Sequence, residues 1–312
     1  MKIKQIPDDF IVEEIPIPYP LLDSGAYLYV ILGKKNYNTI DAISEIAEKL
    51  KIPPRFISYS GNKDKVAVTT QLCSIKGTKA QDVEKLSIEG LKLKVLGYYE
   101  EPVGLGRILG NKFKIIVRDI DALPAVPSKF LNLFGEQRFG TNNALIGKHI
   151  VKRELAQALA LIQSTMRSTK IKEHLMRYPG DMFGALKTLP INHVRLYLHA
   201  YQSKLWNVSA EQTSELKLPM AGYDTENIPS LMKEMLSEDG VKVRDFLFRE
   251  WPELSCEGAI RDVFISPAIN ISELEDDELN PGRKKCALSF ELPAGSYATT
   301  IIQQLFPDSN LD

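Results

Sequence analysis

Cysteine is scarce in this 312-residue chain: Cys73, Cys256 and Cys286 lie far apart and show no Cys-x-x-Cys spacing. An odd, dispersed set argues against a disulfide framework and against a zinc site built on thiolates. Histidine is nearly as rare. His149, His174, His193 and His199 are the four, and the interval between the last two keeps them off one helix face, so each reads as a surface or satisfied polar residue rather than a metal ligand. No apolar run approaches bilayer-spanning length, and the start of the chain, with Asp8 and Asp9, lacks the apolar segment of a signal peptide. A cytoplasmic protein without a membrane partner is expected. The glycines from Gly104 to Gly110 miss the Gly-x-Gly-x-x-Gly pattern, so a nucleotide cofactor is not supported. The acidic stretch Glu273 to Glu278 lacks the spaced glycine and backbone ligands of a calcium loop and reads as an exposed turn.

Net charge is also nearly absent, at -1, but its distribution is uneven. Between Lys51 and Arg118 thirteen basic side chains face six acidic ones, and a second basic run extends from Lys148 through Lys172 to Arg177. Two such zones suit a polyanionic partner, although solvated helix faces produce similar counts. With 44% hydrophobic and 25% charged residues the chain has the composition of an ordinary folded protein, long enough for two domains.

The most suggestive stretch is Gly61-Asn-Lys-Asp-Lys-Val-Ala-Val-Thr-Thr-Gln71, a turn leading into a β-prone run. Its flanking lysines favour an ionised Asp64, a candidate nucleophile at a rigid strand end; on these residues alone a solvated turn is the commoner outcome. Around it the pattern predicts strands at Phe10 to Ile15, Ala26 to Leu32, Phe56 to Tyr59, Val66 to Ile75, Leu91 to Tyr99 and Lys112 to Val117, with a helix N-capped by Thr39. Helical periodicity dominates from Thr141 to about Glu257, after which strands return at Ile260 to Ile265 and Cys286 to Leu292, followed by a helix from Thr300. The end therefore resembles the beginning in type, with the middle block as an insertion. Asn132-Leu-Phe-Gly-Glu-Gln-Arg-Phe-Gly140 interleaves aromatic and polar groups, which suits either a base-and-phosphate surface or a loop clamp.

Lys4 ahead of Pro7-Asp-Asp-Phe-Ile-Val-Glu13, the Gly61 to Gln71 stretch, Gly110-Asn-Lys-Phe113, Asn132 to Gly140 and Phe290-Glu-Leu-Pro-Ala-Gly-Ser-Tyr-Ala-Thr299 together resemble the TruD family of pseudouridine synthases. Arg195 to Asn207, ending Gln-Ser-Lys-Leu-Trp-Asn, is similar to a helix of that family, whereas Leu218-Pro-Met-Ala-Gly222 departs from its pattern. The resemblance implies an α+β protein: a pseudouridine synthase fold with a mixed, largely antiparallel sheet, split by an inserted helix-rich TRUD domain. The expected boundaries are residues 1–140 and 258–312 for the catalytic domain and 141–257 for the insertion. It implies isomerisation of uridine in tRNA, at position 13, with tRNA as partner, no cofactor and no metal; a monomer is expected. Asp64 would be catalytic, Lys4 would hold its carboxylate ionised, Asn111 would hydrogen-bond base or backbone, and Phe113 would carry the flipped uridine. Without the resemblance Phe113 reads as a core strand aromatic. Lys63, Lys65, Gln137 and Arg138 would support the loop or hold phosphates. Two rivals stand beside this reading: a catalytically silent RNA-binding module, and a small-molecule lyase or glycosidase, which would want a second carboxylate that the sequence does not single out.

Overall fold

A computed structural model describes residues 1–166 and 168–307; Arg167 of the second basic run lies outside the described residues. The chain starts with a 3-10 turn at Pro7–Asp9 and strand β1 (Phe10–Pro16), crosses a proline-rich loop and forms β2 (Tyr27–Lys35). Helix α1 (Thr39–Leu50) follows. Its N-cap is Asn38, whose side chain accepts from the Ile40 N–H at 3.1 Å; the predicted cap, Thr39, is buried and bonds elsewhere. Next come β3 (Ile57–Tyr59), β4 (Val68–Lys76), α2 (Ala80–Glu84), β5 (Leu91–Tyr99) and β6 (Ile108–Ile120). Then β7 (Phe130–Leu131) leads into α3 (Glu136–Phe139), α4 (Asn143–Val151), α5 (Leu155–Thr165), α6 (Thr169–Arg177), α7 (Met182–Lys187) and the long α8 (Ile191–Glu211). After β8 (Lys217–Pro219), α9 (Ser230–Glu238), β9 (Ile260–Asp262) and β10 (Phe264–Ile265), the chain returns through β11 (Asn270–Ile271), β12 (Glu275–Asp276), β13 (Lys284–Pro293) and α10 (Ala298–Leu305).

These elements form two compact units, Met1–Ser128 with Ser266–Asp312 and Lys129–Ile265. The sequence-based divisions after residues 140 and 257 differ from these because two segments pack with the helices. Asn132 to Gly140 contacts α8, and the strand expected at Ile260 to Ile265 is two short pieces, β9 paired with β8 and β10 paired with β7. Among the described residues no helix is long and apolar enough to cross a membrane.

The first unit is built on one nine-stranded sheet in the order β11-β13-β6-β1-β4-β2-β5, with β12 on β13 and β3 on β4. Among the described residues, only β1 against β4 runs parallel in this sheet. Because side chains alternate, the inward residues of β1 are Phe10, Val12 and Glu14. Across the register Val12 faces Phe113, which faces Phe290, and on the other side Val12 faces Thr69, which faces Lys34. One row of this sheet face thus runs from a lysine to two phenylalanines. The next row sets Glu14 beside Asn111. At the β2 end of the face, Leu28, Val30 and Leu32 pack with Ala42, Ile43 and Ile46 of α1.

Gly110 shows why a glycine precedes Asn111. A Cβ there would stand 2.2 Å from the Leu292 carbonyl oxygen of β13, a backbone atom that cannot swing away. Gly110→Ala is expected to destabilise the protein by about 1–3 kcal/mol through overpacking. Urea unfolding checks this; an unchanged midpoint would mean that β6 and β13 part without cost.

Candidate active site

Asp64 sits on the loop between β3 and β4, with its side chain 34% exposed. Several buried groups hold that loop. The Thr39 hydroxyl, not needed as a helix cap, accepts from the Lys63 N–H at 3.0 Å. Gln71 Nε2 donates to the Gly61 carbonyl at 3.0 Å. Lys63 turns its ammonium inward to Glu14 at 2.7 Å, and the same carboxylate accepts from the Ser60 hydroxyl and, at 3.1 Å, from the Leu72 N–H. Lys63 therefore ties the loop to β1 rather than standing in solvent, whereas Lys65 is exposed. Glu14 is the second carboxylate that sequence reasoning overlooked. Its inward parity with Phe10 and Val12 was the available signal, because a carboxylate at such a position needs partners.

Lys4 reaches the loop from the start of the chain. Its Nζ lies 2.8 Å from Asp64 Oδ2 and 4.1 Å from the centroid of the Phe10 ring. The backbone of Lys4 has φ 59°, a left-handed conformation that costs a non-glycine residue about 1–2 kcal/mol. Flanking structure imposes it: Lys2 exchanges both backbone hydrogen bonds with Arg118 of β6 at 2.9 Å, and the chain must turn at once into Pro7–Asp9. The ammonium is thus delivered to the carboxylate at a conformational cost.

Asn111 and Phe113 occupy the same face of β6. The Asn111 Oδ1 atom is buried and lacks a hydrogen-bond partner among the described residues. Phe113 is 7% exposed, edge-on to Phe10 at 6.2 Å and stacked with Phe290 at 5.5 Å. A second lysine missed by sequence reasoning completes the surroundings. Lys34, at the end of β2 and 2% exposed, donates from Nζ to the carbonyl oxygens of Asp64 at 2.6 Å, Tyr37 at 2.7 Å and Lys63 at 3.2 Å. Burial brings this ammonium down to about 8, with the nearby Asp64 charge opposing that shift and Lys63 adding to it. Its signal in the sequence was again parity: it follows Leu28, Val30 and Leu32 on the inward side of a strand.

The structure brings Lys4, Lys63, Asp64, Asn111 and Phe113 into one unit; Gln137 and Arg138 lie on α3 of the other. There Arg138 Nε donates to Ser203 Oγ of α8 at 3.2 Å, and its guanidinium stands 5.3 Å from the Phe134 ring. Phe134 is bound through both backbone polar groups to the Asn207 side chain, at 2.9 and 3.0 Å, and Arg261 bonds Asn132 O and Oδ1 at 2.7 and 2.8 Å. Gln202 donates to Ala221 O at 2.6 Å and Trp206 to Leu218 O at 3.3 Å, so the Gln-Ser-Lys-Leu-Trp-Asn signature organises the segment after α8 as well. Burial brings His199, on the same helix, down to about 4, with Arg138 and Arg195 contributing. His149 and His174 are paired with Glu154 at 2.6 Å and Asp181 at 2.9 Å. Among the described residues no group of three or more histidine, cysteine, aspartate or glutamate side chains could hold a metal.

In the acidic stretch from Glu273, Glu273, Glu275, Asp276 and Glu278 are exposed as the sequence suggested, with Glu275–Asp276 forming β12, but one residue departs from that reading. Asp277 is buried and bonds Arg118 Nη1 at 2.8 Å. Arg118, 1% exposed, also holds Asp9 through Nε and Nη2 at 2.9 Å and Glu278 at 3.0 Å.

A family model described as tRNA pseudouridine synthase D (TruD) matches residues 1–174, 154–228 and 208–305. A Methanosarcina acetivorans protein assigned that name is 30% identical, over 97% of this chain and 92% of its own. The tRNA pseudouridine synthase D of Aquifex aeolicus is 26% identical over 98% of both chains. Among solved structures, a Methanosarcina mazei crystal structure assigned to TruD superposes with a TM-score of 0.73 at 28% identity, covering 98% of this chain and 93% of that one. This chain belongs to the TruD family of tRNA pseudouridine synthases.

Proposed function

We propose that this protein isomerises uridine to pseudouridine in tRNA, at position 13, with Asp64 as the catalytic carboxylate. The observation that carries the assignment of Asp64 is its setting: a third-exposed carboxylate, ion-paired with Lys4 at 2.8 Å, on a loop otherwise anchored to the sheet by buried bonds. The reaction must break the N1 to C1′ bond, retain and turn the base, and rejoin it through C5. A carboxylate can start this by attacking C1′ or by removing the 2′ proton. The Lys4 ammonium, 2.8 Å from Asp64 Oδ2, aims the carboxylate. Glu14, the carboxylate that anchors the loop, is engaged by Ser60, Lys63 and Leu72 and so is poorly placed to serve as a second acid or base; this favours the present reading over a glycosidase.

The target base must leave its stack to be reached. Phe10, Phe113 and Phe290 supply an aromatic floor below the loop, and the orphaned Asn111 Oδ1 is an acceptor that a uracil N3–H would satisfy. Both groups are buried, so they receive the base only as the side chains above them part. In the other unit, polyanion contacts are supported by α6, where Lys170 and Arg177 line a cavity of about 860 Å³ with the exposed Met176 and Tyr178. Lys148 and Lys152 are less suited, being paired with Asp239 at 3.0 Å and Glu154 at 2.8 Å.

Tritium release from C5-labelled uridine in tRNA tests the proposal, with the released position mapped by sequencing. Release confined to position 13 is expected; RNA binding without release would favour the silent binding module. For Phe113, alanine would confound stacking with a core cavity, so leucine is the informative change. Phe113→Leu is expected to lower kcat about 10-fold to 100-fold, the equivalent of one lost base–aromatic stack, with tRNA affinity little altered. A lowered melting temperature with unchanged kcat would instead make Phe113 purely a core residue.

A further inference from the structure

An ammonium group carries three N–H donors, and Lys34 offers each of them one backbone carbonyl: Tyr37, Lys63 and Asp64. Two of the three acceptors are consecutive, and one belongs to the proposed catalytic residue itself. The lysine projects from the β2 register position opposite Thr69, where its side chain is buried and its root is fixed by the sheet. Buried ammonium groups are costly, and a stabilising role alone would be served better by an apolar residue on this face.

We propose that Lys34 is a positioning residue for the reaction: its ammonium clamps the Lys63 and Asp64 carbonyls to the end of β2 and thereby fixes the direction in which the Asp64 carboxylate leaves its loop. This inference rests on the reading of Asp64 given above. The clamp acts on the backbone, and Lys4 acts on the carboxylate, so the two lysines constrain the same residue from opposite ends. The charged groups around Lys34 are the Asp64 carboxylate and the Lys63 ammonium, the latter neutralised by Glu14 of β1; on the α1 side, the Tyr37 hydroxyl is engaged by Glu45.

The clamp requires the charged form, because a neutral amine turns a lone pair towards one carbonyl. With the amine group held at about 8, the clamp is largely formed at pH 7 and is lost as pH rises through 8. The sign for global stability is opposite. Between about 8 and the ordinary 10.5 the unfolded chain binds the proton that the folded chain has lost, so the Lys34 contribution to stability rises with pH over that window. A loop that loosens while the fold does not weaken distinguishes positioning from a merely structural role.

The experiment compares wild type, Lys34→Met and Lys34→Arg by single-turnover tritium release and by tRNA binding, and follows backbone hydrogen exchange of residues 61–67 in free wild-type protein at pH 7 and pH 9, corrected for intrinsic exchange. Lys34→Met is expected to slow turnover about 100-fold, the cost of roughly 1 Å of misplacement, with tRNA affinity within about threefold of wild type; Lys34→Arg, which keeps the charge, is expected to recover most of the rate. Residues 61–67 are expected to lose protection at pH 9. Wild-type turnover in Lys34→Met, or parallel loss of turnover and binding, overturns the proposal. If Lys34→Met fails to fold, unchanged protection at pH 9 overturns it. Wild-type protein that releases no tritium refutes the assignment of Asp64 instead, and the exchange measurement then decides the clamp by itself.

Discussion

Asp64→Asn is expected to leave a folded protein that binds tRNA and forms no detectable pseudouridine, a loss of about 10⁴-fold or more. Asparagine matches aspartate in shape but neither attacks C1′ nor removes a 2′ proton. Two features of the structure separate this loss from unfolding. The ion pair with Lys4 is partly solvated, at 18% and 34% side-chain exposure, so breaking it costs at most about 1 kcal/mol. The loop itself is held through backbone atoms of residues 61, 63 and 64, none of which depends on the Asp64 carboxylate. The melting temperature should therefore fall by no more than about 4 °C. Tritium release, calorimetry and filter binding on one preparation measure all three properties. Residual turnover near the wild-type rate would remove Asp64 from the mechanism.

The second large effect concerns stability. Arg118 is the shared partner of Asp9 and Asp277, both buried, and its removal leaves two buried carboxylates without their shared cation. Arg118→Met is expected to destabilise the protein by about 3–5 kcal/mol. Adding Asp9→Asn and Asp277→Asn to that variant should recover part of the loss, since the penalty arises from uncompensated charge and not from the arginine volume. The same site makes the wild type acid-sensitive. Burial pushes the Asp277 carboxyl up, but hydrogen bonds from Asn280, from the backbone of Asp119 and Leu279, and from Arg118 outweigh it and hold the group at about 2. Its folded value lies below its ordinary 3.8, so its contribution is complete above that pH and is lost as pH falls towards 2, an effect of about 2 kcal/mol. Denaturant titrations at pH 5, 4, 3 and 2 check this. A flat profile over that range would mean that Asp277 is not held in its charged form.

Local patterns made much of the first unit legible. β5 begins and ends where alternation predicts, and α1 is displaced only in its cap, because Asn38 precedes a threonine whose hydroxyl has a better use inside. The strand expected at Ile260 to Ile265 could not be assigned correctly from its own composition: its two halves pair with Lys217–Pro219 and Phe130–Leu131, distant segments that no local window contains. Within the site, Asp64 was singled out by its turn and flanking lysines, whereas Lys4 and the role of Phe113 came through motif resemblance, a route that favoured residues inside recognised motifs. Glu14 lay one residue past a quoted motif, and Lys34 lay far from any of them. Their chemistry was visible only as charge at an inward strand position, and which partners satisfied that charge depended on the loop from Gly61 to Ala67 folding back over the sheet. Arg118 and Asp277 were hidden for the same reason: their pairing joins β6 to a loop from the far end of the chain.

That long-range closure bears on how the protein is made. Strand β6 is bordered on one side by β1 and on the other by β13, and the entire Lys129–Ile265 unit is synthesised between the two. During translation the β6 edge is therefore left bare while the intervening helices emerge. Asp277 arrives only with the final segment, so until then Arg118 has just one of its two buried counter-charges. A nascent chain truncated before Lys284 should be aggregation-prone through that open edge, and the step that closes it, rather than helix formation, should set the pace at which the Asp64 loop acquires its floor.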